Sequence, residues 1–397
     1  MKHKLKIGIV CFPTYGGSGI VATELGRALA KKGHEIHFIT YQQPVRLELF
    51  EENVHYHEVS TVDYPLFEFP PYELSLAAKM VDVISYEKLD VLHVHYAIPN
   101  AYVAYSAKQI LLQAGIAIPI ITTLHGTDIT LVGKSALLKP VISFAINQSD
   151  YVTSVSEDLK KETCSYFDIK AEKIHVVPNF IDLKEYQLPK TEEYQKRRAR
   201  LKRIISPNGE SVLVHISNFR PVKRVQDVVE IFRRVNEKQA STLLMVGDGP
   251  CKDDIEKSCR KLGLSKRVRF IGKSSDIPQV LDLCDLMLLP SETESFGLVA
   301  LEAMASGVPV ISSNTGGLPE VNVDGKTGFV AEVGDVETMS QQALSILSDK
   351  KKLNQFKTNA RAHAQRFDLP NILPAYEQIY CDILKCENYL KSVNKIN

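Results

Sequence analysis

The sequence predicts an α/β protein made of two doubly wound domains, each a parallel sheet covered by helices. Three observations predict this class. Short apolar runs rich in β-branched residues alternate with longer helical patterns, an order typical of βαβ units. A polar, charged stretch at 187–208 interrupts the alternation, which then restarts. The length of 397 residues exceeds what one ordinary core organises.

The first half contains apolar runs that we predict to be strands. In chain order they are 7–12, 35–40, 91–95, 118–123, 151–155 and 175–177. Helices are expected at 19–32 and 101–113, and Gly33 is the expected C-cap of the first. The run after Met1 is short and ends at a proline, so we read it as a strand rather than a signal peptide.

The second half repeats the pattern after the polar stretch. Its predicted strands are 212–216, 242–246, 268–271, 286–289, 308–311 and 328–330, and a helix is expected at 371–390. We therefore place one domain at 1–182, joined by a returning C-terminal segment at about 371–397, and the other at 183–370. Two such domains in tandem are expected to face a central cleft that takes one ligand.

The composition is that of an ordinary soluble enzyme. Lys and Arg number 48 against 47 Asp and Glu, so no overall field favours nucleic acid or an anionic membrane. The basic run at 196–203 reads as a solvated helix face or linker. No stretch approaches a membrane span. The 7 cysteines form no C-x-x-C pair, which indicates reduced thiols and a cytoplasmic location.

A glycine-rich stretch, PTYGGSGIVA, follows the first strand, and its part from Gly17 onward fits G-x-G-x-x-A. A dinucleotide fold also needs the glycine close behind the strand and a carboxylate ending the second strand. Here residues 13–16 intervene, and the second strand runs into Tyr41 without an acid. No P-loop sequence occurs either. The loop remains suited to a phosphate or another ligand close to the backbone, at a helix N-terminus.

Two glutamates follow the predicted strand 286–289. Glu294 and Glu302 stand eight positions apart, which along a helix spans about 12 Å. That length is on the order of the distance from a nucleotide's ribose to its sugar. Glu302 lies within an apolar helical stretch, where a carboxylate is costly without a partner.

The stretch ESFGLVALEAMASGVPVI, with these two glutamates, resembles the E-x7-E signature of retaining GT-B glycosyltransferases. The resemblance covers nearly the whole chain and implies a GT-B fold of two Rossmann-like domains. It implies that Glu302 binds the donor ribose and Glu294 contacts the sugar. The stretch SNFRPVKR is similar to the loop that neutralises the donor diphosphate, with Lys223 at the family's lysine and Arg220 as the substitute for its arginine.

Further motifs are similar to those of the same family. HGTD places His125 where the family's histidine faces the donor sugar, and VPNFID places Asn179 at the entry to the second domain. GGLPE resembles the second glycine turn, whose amides at Gly317 and Leu318 are expected to meet the diphosphate or sugar. Gly17 is also assigned to the donor. No D-x-D sequence occurs, so we expect no metal and no cofactor.

A narrower resemblance lies in CFPTYGGSGIVATELG, DYPLFEFPPYELSLA and HVHYAIPNAY. It implies a branch of the family that transfers N-acetylglucosamine from UDP-N-acetylglucosamine to the hydroxyl of L-malate with retention, the first step of bacillithiol biosynthesis. It also implies front-face substitution without an enzymic nucleophile, in which His125 orients the sugar. From the residues alone, the acceptor candidates near strand ends are Ser18, Arg46, Tyr96, Asn100 and Thr123. Arg46 is the one able to grip a carboxylate in bidentate fashion. His93 is expected in the core.

Alternatives stay open at this stage. A sister glycosyltransferase could use inositol phosphate or a lipid-linked acceptor, and the latter predicts an exposed apolar or basic patch near Arg46 and residues 67–72. A non-catalytic nucleotide-sugar-binding protein is disfavoured because both glutamates, Lys223 and His125 are all present. A nicotinamide-dependent oxidoreductase is disfavoured by the glycine-loop arguments. Oligomeric state is undetermined, a homodimer included.

Overall fold

The computed structural model describes residues 4–14, 16–48, 50–61, 66 and 68–393. The chain divides into two compact units. Unit 1 comprises Met1–Phe180 and Leu369–Asn397, and unit 2 comprises Ile181–Asp368. Each unit contains its own parallel sheet.

Unit 1 is built on a parallel sheet of order β3-β2-β1-β4-β5-β6-β7. Its strands are β1 Lys6–Val10, β2 Glu35–Thr40, β3 Val54–Glu58, β4 Val91–His95, β5 Ile120–Leu124, β6 Tyr151–Ser154 and β7 Ile174–Val176. Its helices are α1 Gly17–Lys31, α2 Tyr72–Glu87, α3 Tyr102–Gln113, α4 Lys139–Gln148, α5 Glu157–Phe167 and the C-terminal α14 Leu369–Val393. Short helical turns at 97–101 and 127–134 follow β4 and β5.

The strands of unit 1 form because their apolar residues are covered on both faces. Every residue of β4 and β5 is buried, as expected for a parallel sheet between helix layers. Helix α1 packs closely on this sheet at Gly26, where a Cβ would lie 2.5 Å from the Phe38 ring. The lack of a side chain there lets helix and sheet approach each other.

Unit 2 has a parallel sheet of order β10-β9-β8-β11-β12-β13. Its strands are β8 Ser211–Ser217, β9 Ser241–Gly247, β10 Val268–Gly272, β11 Leu286–Leu289, β12 Val310–Ser313 and β13 Gly328–Ala331. Its helices are α6 Glu192–Ile205, α7 Val225–Lys238, α8 Lys252–Lys261, α9 Ile277–Leu281, α10 Leu298–Ala305, α11 Leu318–Val321, α12 Val336–Leu347 and α13 Lys350–Ala364. Helix α7 shows the expected pattern, burying Val225, Val228, Val229 and Phe232 at three- and four-residue spacing.

The predicted fold class is confirmed, and several elements differ from the prediction. Strand β3 was not predicted, because its residues are only partly buried at the sheet edge. The polar stretch at 187–208 is not simply a connection, because α6 occupies most of it. This helix buries none of its residues fully, and it is fixed by ion pairs from Arg198 to Asp282 and from Lys202 to Asp285.

Helix α14 completes unit 1 after the chain has passed through unit 2. The Tyr380 hydroxyl lies 2.8 Å from Nδ1 of His93 on β4, and Lys32 after α1 pairs with Glu377. Tyr376 and Tyr380 are fully buried. The six cysteines whose side chains are described, all except Cys386, are free thiols. Among the described helices, none has the length and apolar character that crossing a bilayer requires.

Candidate active site

The strand orders create one topological switch point in each unit. In unit 1, β1 lies between β2 and β4, so the loops after β1 and β4 leave toward opposite faces. In unit 2, β8 lies between β9 and β11 in the same way. Open parallel sheets bind ligands at this crevice, beyond the carboxyl ends of the strands. We call the residues that follow β1, β4 and β5 the unit 1 site, and those that follow β8, β11 and β12 the unit 2 site.

The glycine loop begins the unit 1 site. Helix α1 starts at Gly17 with Gly16 as its N-cap, and its first turn carries no acidic side chain. The first amides of a helix have no partner within the helix, and together with the dipole they favour an anion. At Gly19 a Cβ would lie 2.5 Å from the Phe12 carbonyl oxygen. Glycine is therefore required for the loop to fold against the end of β1.

Tyr96, directly after β4, connects the glycine loop to the rest of the unit 1 site. Its hydroxyl lies 2.6 Å from the Ser18 hydroxyl, and its ring is 5.2 Å from the His125 ring between centroids. Its backbone has φ +82°, a left-handed value that is uncommon outside glycine and worth a functional explanation. Burial raises the pKa of the phenol to about 12, so the hydroxyl stays protonated and can donate a hydrogen bond.

Three histidines stack beneath Tyr96. His93 and His95 share one face of β4 with their ring centroids 4.7 Å apart, and the His95 ring stacks on the His125 ring at a centroid distance of 5.0 Å. Nδ1 of His95 lies 2.7 Å from Nε2 of His125. Burial lowers the pKa of His125 to about 3 and that of His95 well below its ordinary value. Both rings are thus neutral near pH 7, and His125 is suited to orient a ligand rather than to take a proton.

Asp128 fixes the turn that carries His125. Its carboxylate accepts hydrogen bonds from the amide of Ala97 at 2.7 Å and from the amide of Gly126 at 3.2 Å. It therefore joins the loop after β4 to the loop after β5. Burial raises the Asp128 pKa to about 6, although these amide hydrogen bonds oppose the shift.

The unit 2 site centres on an ion pair between Lys223 and Glu294. Lys223 ends a short helical turn after β8, and its ammonium group contacts Oε1 of Glu294 in the loop after β11. The two side chains are only 19% and 13% exposed. The amide of Glu292 also donates to the Val222 carbonyl at 2.8 Å. The switch point thus brings together two loops that are distant in sequence.

The glycine turn after β12 holds the backbone of Glu294. Gly316 has φ +56°, and a Cβ there would lie 1.9 Å from the Glu294 carbonyl oxygen. The Gly317 amide donates to that oxygen at 2.9 Å. Glycine is required at 316 by both its conformation and this close approach. Glu294 is therefore fixed by the turn at its backbone and by Lys223 at its carboxylate.

Comparison with known proteins identifies the family. Residues 197–363 match the family model for glycosyl transferases group 1, and residues 15–185 match that for glycosyltransferase family 4. The chain is 47% identical over 385 residues to N-acetyl-alpha-D-glucosaminyl L-malate synthase of Bacillus anthracis, covering 96% of this chain and 98% of that protein. The chain belongs to this glycosyltransferase family.

More distant similarities agree with the fold of the glycosyltransferase. D-inositol 3-phosphate glycosyltransferase of Corynebacterium glutamicum is 25% identical over 94% of this chain and 93% of its own length. The crystal structure of Anabaena Alr3699/HepE in complex with UDP superposes with a TM-score of 0.78 at 22% identity, over 95% of this chain and 100% of that one. The structural similarity supports the GT-B architecture.

Of the acceptor residues predicted for this glycosyltransferase, the structure brings Ser18 and Tyr96 into contact. It buries Thr123 and Asn100, which lie near strand ends as predicted. Thr123 is fully buried, and its hydroxyl bonds to His93 and Thr153. Asn100 is also buried, and its amide donates to a backbone carbonyl of β4 at 2.8 Å. Both side chains thus support the strand ends, and direct contact of either with an acceptor stays a prediction.

Arg46 and Asn179 also belong to unit 1. Arg46 has φ +68°, and Nη1 lies 3.9 Å from Oε1 of Glu24 on α1. Glu24 also pairs with Arg27, so the predicted carboxylate-binding guanidinium shares an acidic partner. Asn179 is buried, and among the described residues its Oδ1 has no hydrogen-bond partner. That oxygen is a candidate acceptor for a ligand donor.

In unit 2, the Gly317 and Leu318 amides, which are predicted to meet the diphosphate or sugar, both have backbone partners. The Gly317 amide is used by the Glu294 carbonyl, and the Leu318 amide donates to the Thr315 carbonyl at 3.2 Å. Leu318 is also fully buried. Glu302 is buried on α10, as its apolar surroundings predict. Arg220 is exposed on the Lys223 loop, and its side chain forms no ion pair among the described residues.

The sequence analysis of the glycosyltransferase missed His95 and Asp128. Both were visible in principle. His95 follows His93 by two positions on a predicted strand, which places both rings on one face. Asp128 ends the HGTD motif, and a short acidic side chain just after a glycine turn is a common acceptor for backbone amides.

Proposed function

We propose that the chain is a retaining, metal-independent transferase that moves N-acetylglucosamine from UDP-N-acetylglucosamine to the hydroxyl of L-malate. One observation carries the proposal: the near end-to-end identity of 47% to N-acetyl-alpha-D-glucosaminyl L-malate synthase. The paired Lys223 and Glu294 and the anion-favouring glycine loop supply chemistry that this reaction needs.

The unit 2 site is assigned to the donor. When a UDP-sugar binds, its diphosphate competes with Glu294 for the Lys223 ammonium. The leaving UDP gains negative charge in the transition state, and a fixed cation stabilises that charge most when it is already in place. Glu294 released from Lys223 can then accept hydrogen bonds from the sugar hydroxyls, and Glu302 from the ribose. Arg220, exposed on the same loop, adds positive charge near the phosphates.

The unit 1 site is assigned to the acceptor. Malate carries two carboxylates and one hydroxyl, so it requires an electropositive pocket with hydrogen-bond donors. The N-terminus of α1 supplies free amides and positive potential. The Ser18 and Tyr96 hydroxyls bond to each other, and the one that accepts in that contact can donate its own proton to a carboxylate. Arg46, which pairs with Glu24 on α1, can supply a cation to malate if a malate carboxylate replaces the Glu24 carboxylate in that ion pair.

The proposed substitution occurs on one face of the sugar, because the acceptor attacks from the side on which UDP departs. The leaving phosphate oxygen takes the hydroxyl proton of malate, so no protein base is needed. A neutral His125 with its low pKa fits this scheme, because it can hold a sugar hydroxyl without competing for the proton. His95 positions His125 through their 2.7 Å contact.

The test is UDP release from UDP-N-acetylglucosamine by purified, untagged protein, with and without L-malate, in the presence of EDTA. The proposal expects release that requires malate and persists in EDTA. D-malate and succinate are the matched controls, since succinate lacks the hydroxyl. NMR of the product should show the α-anomer. UDP release that does not depend on malate, or that EDTA abolishes, would contradict the proposal.

A second candidate is a related transferase with a lipid-linked acceptor. Leu66, Phe69 and Leu74 are 81%, 78% and 70% exposed in unit 1, which is the apolar surface such an acceptor predicts. Phe67, part of the same expected patch, lies outside the described residues. Inositol phosphate and a lipid acceptor in the same UDP-release assay separate these activities from malate transfer.

A further inference from the structure

Histidine and glutamate side chains gather at one edge of the unit 1 sheet, apart from the unit 1 site. Glu35 and His37 share one face of β2 because strand side chains alternate. His55 and His57 share the corresponding face of β3. The two strands are parallel with His37 opposite His55. Glu87, in the last turn of α2, joins the cluster.

The distances among three of these groups match a metal site. Nε2 of His37 lies 3.2 Å from Oε1 of Glu35, and Nε2 of His55 lies 3.6 Å from the same oxygen. In a tetrahedral zinc site with bonds of about 2.0–2.1 Å, neighbouring ligand atoms are about 3.3 Å apart. We propose that Glu35, His37 and His55 bind one Zn²⁺ ion.

His57 prepares His37 for this role. Nδ1 of the fully buried His37 lies 2.9 Å from Nε2 of His57. When Nδ1 carries the proton and donates it to His57, the Nε2 lone pair of His37 points at the metal position. Metal-binding histidines are normally held by such a contact at the other ring nitrogen, which fixes the tautomer and the ring orientation.

The site also has an entry path. The His55 side chain is 50% exposed and that of Glu35 is 31% exposed, so an ion reaches them from solvent and a water can complete the tetrahedron. Lys6 occupies the neighbourhood in the absence of metal, with Nζ 3.1 Å from Oε1 of Glu35. Its side chain is 38% exposed, so it can swing into water when the ion binds.

The location indicates a structural role for the ion rather than a part in transfer. Glu35 and His37 lie in the first half of β2, whereas the unit 1 site follows the carboxyl ends of β1, β4 and β5. The ion would tie the partly exposed edge strand β3 to β2. Because it binds the folded chain, it raises the stability of unit 1 by mass action. EDTA-resistant transfer is compatible with this site.

The test titrates Zn²⁺ into untagged, chelator-treated full-length protein by calorimetry. Variants His55→Ala and Glu35→Gln change partly exposed ligands, and His175→Ala is the matched control, an exposed histidine on β7 of the same sheet. We expect one equivalent in wild type and in the control. A third variant, His57→Ala, removes only the residue that positions His37 and should lower Zn²⁺ affinity by roughly 10- to 100-fold. His55→Ala and Glu35→Gln remove ligands and should lower Zn²⁺ affinity by more than that. Circular dichroism checks that each variant is folded.

A second probe uses Co²⁺ and identifies the ligands independently of any variant. Nitrogen and oxygen ligands in a tetrahedral site give visible d–d bands without the intense near-ultraviolet band of a cobalt–thiolate bond. Wild type should show this spectrum, and Zn²⁺ should raise the melting temperature of wild type but not of His55→Ala. Equal Zn²⁺ affinity in wild type and His55→Ala, no binding at all, or a thiolate band would each overturn the proposal.

Discussion

His93 should weaken the fold in mild acid, and replacing it by glutamine should remove that weakness. The ring is fully buried, with Nδ1 2.8 Å from the Tyr380 hydroxyl and Nε2 2.7 Å from the Thr123 hydroxyl. Burial, with a smaller contribution from His125, lowers its pKa to about 3. A charged imidazole would therefore have no place in the core of unit 1.

The magnitude follows from proton linkage. An unfolded histidine has a pKa near 6.5, so the unfolded chain takes up a proton before His93 does in the folded chain. The contribution of His93 is complete above about pH 6.5 and is lost progressively as the pH falls toward 3. Between about pH 7.5 and about pH 5 the loss is about 2 kcal/mol. Asp128, whose pKa is raised to about 6, acts in the opposite direction over this range.

The assay is urea unfolding followed by circular dichroism at both pH values, for wild type, His93→Gln and the control His175→Gln. Asp128, His95 and His125 also contribute to the acid dependence, but they are present in all three proteins, so the difference between proteins isolates His93. On acidification, the free energy of unfolding of wild type should fall by about 2 kcal/mol more than that of His93→Gln. Because His175 is exposed, the free energy of unfolding of His175→Gln should fall by nearly as much as that of wild type. If His93→Gln lost as much stability as wild type, the inferred neutrality of the buried ring would be wrong.

Three further predictions concern the two sites. Lys223→Ala should lower kcat by about 10²- to 10³-fold in steady-state assays of UDP release, whereas Lys223→Arg should retain part of the wild-type kcat. An unchanged kcat in Lys223→Ala would contradict the role of Lys223 in stabilising the leaving group. Gly316→Ala should lower both the melting temperature and kcat, because its Cβ would meet the Glu294 carbonyl. Gly325→Ala, also at positive φ but in open space, should cost only the backbone strain of about 1–2 kcal/mol. Asp128→Asn should destabilise unit 1 by about 1–3 kcal/mol in urea unfolding, since an amide group would face a backbone donor; equal stability would contradict that hydrogen-bond assignment.

The accuracy of the sequence analysis varied with burial. Strands β2, β4 and β11 were placed at their observed bounds, because nearly every residue in them is buried and apolar residues recur along each run. Strand β3 has the sequence VHYHE and only partial burial, so its polar edge residues hid it. Helix α6 is charged on most of its surface and is fixed by ion pairs to distant residues, which local periodicity does not reveal.

The two sites likewise depend on contacts between residues that are distant in sequence, which sequence motifs alone do not reveal. The motifs located Lys223 and Glu294 separately, but their contact depends on the strand order that brings the loops after β8 and β11 together. The glycine turn was also located by sequence, whereas the use of the Gly317 amide by the Glu294 carbonyl depends on backbone direction. Thr123 and Asn100 lie near strand ends as expected, but which side chains point into the core is set by the pleat and the following turn.

The return of helix α14 to unit 1 has a consequence for synthesis on the ribosome. Unit 2, Ile181–Asp368, is synthesised before Tyr376 and Tyr380. Until then His93 lacks its tyrosine partner, and one face of unit 1 lacks its cover. Domains usually fold in the order in which they emerge. Here the unit that begins the chain is the last to be completed, so a message truncated before α14 still encodes all of unit 2 but leaves unit 1 unfinished.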